Sequence, residues 1–90
     1  MSSSRPSVDP RAVVVDVDDD ALSVELADGR RLSVPLVWFP RLLHARAEQR
    51  RNWRLIGDGR GIHWPDIDED LSVEGLLQGA AAPGATKRAV

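Results

Sequence analysis

Asp28-Gly29 stands between two strict alternations of apolar and polar residues. Leu22, Val24 and Leu26 precede it, and Leu32, Val34 and Leu36 follow it. A side-chain period of two belongs to a strand with one buried and one wet face. Asp-Gly supplies the positive φ that a tight hairpin turn needs. Upstream, the Val-rich run Ala12 to Val15 ends at Asp18 to Asp20, residue types that favour a second turn. The three segments predict an antiparallel meander. Pro35 cannot donate a ladder hydrogen bond, which puts it at an edge or at a strand end.

The period changes in "VWFPRLLHARAEQRRNW". Pro40 suits the first turn of a helix. Phe39, Leu43 and Ala47 recur every four residues, with Leu36 a turn earlier, while Arg41, Arg46, Arg50 and Arg51 take the other side. This predicts an amphipathic helix, or two short ones with a break near His44 to Arg46. Trp38 and Phe39 are adjacent and cannot share one helix face, so one of them is a candidate for exposure toward a partner. The other aromatics belong to the core, where large rings supply much of the burial in a small domain.

"WRLIGDGRGIHWP" reads as a second hairpin: Leu55-Ile56, a Gly-rich turn over Gly57 to Gly61, a return through Ile62-His63-Trp64, and a stop at Pro65. Four acids then crowd the five positions Asp66 to Asp70. Ser72 is a good N-cap, Glu74 lies where a helix dipole favours negative charge, and Gly79 is placed to end a helix. The acids are therefore expected to precede or open a short C-terminal helix, weakened by Gly75 within it.

These elements predict an α+β fold: an antiparallel β-meander and hairpin packed with a short helical segment and a C-terminal helix. Ninety residues make one domain at most. The expected organisation is a flexible tail over residues 1–10, a single small domain over 11–79 and a second flexible tail over 80–90. The chain has no cysteine, which excludes disulfides, thiolate zinc sites and a thiol nucleophile, and suits a cytoplasmic location. Charge is segregated. Residues 1–29 carry two Arg against seven acids, residues 30–60 carry eight Arg against two acids, and residues 61–79 carry five acids and no base. Such segments pair within a fold, are solvated, or present a basic face to a partner or nucleic acid.

Asp66, Asp68 and Asp70 have the spacing of a calcium loop, yet the positions that need Gly and Glu hold Leu71 and Leu77, and Leu has no ligand oxygen. His44 and His63 are the only histidines and form no H-x-x-x-H or H-E-x-x-H pattern. Within residues 11–79 the serines fall on strand faces or at a cap, and none has a G-x-S-x-G setting. "GDGRG" lacks the Lys of a Walker loop and reads as a hairpin turn. No catalytic, metal or cofactor site is expected. Arg46, Arg50 and Arg54 are spaced by four, so a continuing helix would stack them on one face.

"DGRRLSVPLVWFPRLLHA" and "EQRRNWRLIGDGRGIHWPDIDEDLSVEGLL", in this order, resemble a small bacterial family, domain of unknown function 2442. The resemblance covers about Arg11 to Leu77 and is most specific in its second half. It implies a compact α+β fold and no established activity. It also implies partnership in small two-gene cassettes of toxin–antitoxin type, with some relatives joined to a helix–turn–helix domain. The function expected is a non-enzymatic interaction module, the antitoxin-like partner of a small toxin-like protein. Its candidate partner-binding residues are Arg46, Arg50, Arg54, Asp66, Asp68 and Asp70. The alternative is a DNA-associated regulator acting as a homodimer, which salt-sensitive operator binding would reveal.

Overall fold

The computed structural model describes residues 11–79, and the tails expected at 1–10 and 80–90 lie outside them. The meander forms as its alternation requires. Strands β1 (Ala12–Val17), β2 (Ala21–Leu26) and β3 (Arg31–Pro35) make an antiparallel sheet in the order β1-β2-β3. Gly29 closes the β2–β3 hairpin at φ 95°, and its N–H donates to the Leu26 carbonyl. At the β1–β2 turn the Asp18 carboxylate accepts from the backbone N–H groups of Asp20 and Ala21, each at 2.7 Å. Those two bonds hold its carboxyl below the usual range. Leu22, Val24 and Leu26 face the core, and a register shift near Val13 leaves Val13 and Val14 exposed.

A single 3₁₀ turn over Leu36–Trp38 leads into two short helices, α1 (Pro40–Leu43) and α2 (Ala47–Arg51). The break falls at His44 to Arg46, as the sequence suggested. It also resets the helical phase. The buried positions are Leu36, Phe39 and Leu42, whereas Ala47, expected inward, is exposed. Phe39 is buried and the half-buried Trp38 meets it edge-on, with ring centroids 6.5 Å apart. In α2 the Gln49 side chain accepts from the Arg46 N–H and so satisfies one of the free donors at the helix start.

The chain then builds a second antiparallel sheet in the order β4-β5-β6, from Arg54–Ile56, Gly61–Trp64 and Glu69–Ser72. The hairpin was expected, but its third strand was not. Only Pro65 to Asp68 form a turn after β5, with Asp68 at φ 52°, and Glu69 to Ser72 return as β6. Ser72 ends that strand and caps helix α3 (Val73–Leu77), its Oγ accepting from the Gly75 N–H at 2.9 Å. Gly79, at φ 81°, follows the helix.

One core joins these parts. Val15, Leu22, Val24, Leu36, Phe39 and Leu42 meet Ile62, Trp64, Val73 and Leu76 in a single buried cluster. The turn between β4 and β5 touches the first sheet closely. A Cβ on Gly59 would come within 2.7 Å of the Ala12 carbonyl oxygen, and Gly59 sits at φ 90°. Glycine is required there by both space and conformation. Among the described residues no helix is long and apolar enough to cross a membrane.

Candidate interaction face

Strand alternation sorts the second sheet into two faces. Leu55, Ile62, Trp64, Glu69 and Leu71 turn toward the core, while Arg54, Ile56, His63, Asp70 and Ser72 turn out. Pairing sets the outer residues in rows. Arg54 lies opposite His63, and His63 lies opposite Asp70, so one row crosses all three strands. His63 Nδ1 is 2.5 Å from Asp70 Oδ1. A carboxylate oxygen accepts, so the His63 ring is the donor in this contact. Arg54 has no ion-pair partner among the described residues. Asp70 is two strands away, about 10 Å. The next row is Ile56, Gly61 and Ser72. A Cβ on Gly61 would meet Ile56 Cγ1 at 2.9 Å, so Ile56 leans over the middle strand, and it remains 43% exposed.

The six sequence candidates divide sharply. Arg54 and Asp70 come together on this outer face. Arg54 is there because α2 ends at Arg51 with Asn52 as its C-cap, so the expected helical stack of Arg46, Arg50 and Arg54 does not form. Arg46 is exposed beside α2 and pairs with Glu48 at 3.0 Å. Asp66 accepts from the Asn52 side chain at 3.0 Å, which ties the β5–β6 turn to the end of α2. The backbone carbonyl of Asp68 accepts from Arg41 Nη1 at 2.6 Å. The three aspartates are thus separately engaged and do not converge. Among the described residues no group of three or more His, Asp or Glu could hold a metal ion.

Arg50 is the correction. The spacing by four places it on an exposed helix face, whereas the structure buries it. Its Nε donates to the Leu42 carbonyl at 3.0 Å and Nη2 to the Leu43 carbonyl at 2.8 Å. Both carbonyls lie at the C-terminal end of the short helix α1, and that of Leu42 also accepts from the Ala45 N–H at 3.2 Å. Nη1 reaches Asp19 at 2.8 Å, and the Arg50 backbone carbonyl accepts from Trp64 Nε1 at 3.0 Å. One residue therefore links α1, the β1–β2 turn and the second sheet. A helical wheel hides this, because the break before α2 rotates Arg50 inward.

Sequence reading also missed Glu69. It faces inward opposite Trp64, and its Oε2 has no hydrogen-bond partner. Burial raises its carboxyl above the usual range, Arg41 opposes that shift, and Asp70 and Asp68 add to it.

Two three-stranded antiparallel sheets with short helices around one core define a small α+β protein with an exposed, charged sheet face. The chain belongs to the family described as Protein of unknown function (DUF2442), whose model matches residues 12–82. It is similar to the crystal structure of a protein of unknown function from Rhodospirillum rubrum ATCC 11170. That match has 29% identity over 82% of this chain and 92% of the other, with a TM-score of 0.71. An uncharacterised protein from Chromobacterium violaceum, solved by solution NMR, shares the fold. Its TM-score is 0.69, at 24% identity over 82% of this chain and 70% of that one. No curated protein matches the chain.

Proposed function

We propose that this protein is a non-enzymatic interaction module. It binds a small protein partner, as the antitoxin-like half of a pair, through the outer face of its second sheet. The observation that carries the reading is the pairing of exposed Ile56 with Arg54, a cation that has no ion-pair partner among the described residues. An apolar residue flanked by arginine is what protein interfaces select, because arginine and large apolar groups supply most of their binding energy. Asp66 and Asp68 serve the turn that supports this face, and Arg46 lies outside it. The six residues are then not one binding patch. Arg54 and Asp70 contact the partner, and Arg50 holds the frame behind them.

The test is co-purification of the tagged protein from nuclease-treated lysate of its native host, wild type against Arg54→Glu. A single small stoichiometric protein captured by the wild type and lost from the folded variant is expected. Equal capture by both would remove this face from the interaction. Absence of any stoichiometric protein of another sequence would remove the two-protein pair.

A further inference from the structure

The outer face of the second sheet is complementary to itself, and we infer that it docks on a second copy of this chain. The inference rests on the reading of this face as the docking face and assigns it a second copy of this chain when the small partner is absent, the two competing for the same residues. The row Arg54–His63–Asp70 is basic at one edge strand, β4, and acidic at the other, β6, with His63 midway. Two such faces brought together by a two-fold axis along β5 place Arg54 of each copy opposite Asp70 of the other. The contact is isologous, so each charge pair forms twice. Within its own chain Asp70 is engaged through Oδ1, at His63, and its side chain remains 65% exposed. A carboxylate has room for a further donor. The second row completes the fit. Ile56 leans across Gly61 onto the middle strand, so the two Ile56 side chains meet near the axis. The contact has an apolar centre and two charged flanks, and the absence of a side chain at Gly61 lets that centre form.

Its strength follows from its size. Three strands about 4.8 Å apart and about four residues long at about 3.3 Å per residue give a face of roughly 200 Å². A standard stable interface takes about 800 Å² per partner. The association is therefore weak, and concentrations from about 10 µM to about 1 mM are where it is sought.

Sedimentation equilibrium of the full chain across that range tests it, with near-ultraviolet circular dichroism reporting the buried Trp64 as a check on folding. The wild type should approach dimer mass at the upper end. Arg54→Asp alone and Asp70→Arg alone should each stay monomeric at about 1 mM, since each sets like charges opposite each other twice. Mixed one to one, the two variants should associate, because every pair across the axis is then opposite in charge. A second copy is overturned by a wild type that is monomeric at about 1 mM, or by single variants that dimerise like the wild type. Loss of the lysate partner from Arg54→Glu would still uphold the docking face in that case, so the two readings fail separately.

Discussion

The two sheets have the same number of strands and the same antiparallel pairing, yet they are held in different ways. In the first, strands of five or six residues are joined by turns that stabilise themselves. Asp18 binds the N–H groups of its own turn, and Asp28 accepts from the Arg30 N–H and pairs with its guanidinium. In the second, the strands have three or four residues, and the fastenings come from far along the chain. Trp64 reaches the Arg50 carbonyl 14 residues away, and Arg41 reaches Asp68 across 27. A short isolated hairpin is marginal in water. Longer strands can rely on local turn chemistry, whereas the second sheet needs α1 and α2 to be in place. Its inner face is thereby fixed, and its outer face stays open to solvent.

Several substitutions sharpen this contrast. Trp64→Ala should have the largest effect, about 4 kcal/mol, since it empties the core under the second sheet and strips the Arg50 tether at once. Chemical denaturation monitored by circular dichroism would measure it, and a loss below about 1 kcal/mol would break the contrast. Glycines divide the sheets next. Gly59→Ala should cost about 2–3 kcal/mol, because its Cβ would strike the Ala12 carbonyl and its φ is positive. Gly29→Ala, in the self-supporting hairpin, meets nothing within 4 Å and should cost only the strain of its φ, about 1 kcal/mol.

The smallest effect belongs to Glu69. Its folded carboxyl is raised above the unfolded value, mainly by burial. The folded state therefore holds the proton more tightly, and stability falls as pH rises from the ordinary carboxylate range through the raised value. Glu69→Gln should flatten that slope and gain less than about 1 kcal/mol at pH 7, with the gain vanishing at low pH. Melting curves from pH 4 to pH 8 would check the sign; a variant as pH-sensitive as the wild type would contradict it.

The first sheet was readable because each inward position is apolar and each turn carries its own signal, from Leu22 through Asp28-Gly29 to Val34. The helix break, the Gly-rich turn and the Ser72 cap were readable for the same local reasons. Strand β6 was not. Its alternation runs Glu69 in, Asp70 out, Leu71 in, Ser72 out, and a buried carboxylate at the first position disguises it as an acidic run. The candidate face was half readable. Arg54 and Asp70 could be named as charges, but the row that unites them depends on β6 and on pairing across β5. Arg50 could not be placed, because its role depends on the Leu42 and Leu43 carbonyls, which meet its guanidinium only when the helix breaks after Leu43.

The most direct test compares two arginines four positions apart. Arg50→Ala and Arg54→Ala should be unfolded in parallel with denaturant. If Arg50 is the frame and Arg54 the face, Arg50→Ala loses about 3 kcal/mol, because it empties a buried site and strips the guanidinium donors from the Leu42 and Leu43 carbonyls. Arg54→Ala then stays within about 0.5 kcal/mol of the wild type. Equal losses from both, or a larger loss from Arg54→Ala, would contradict the division between a tethered inner frame and a solvent-facing outer face.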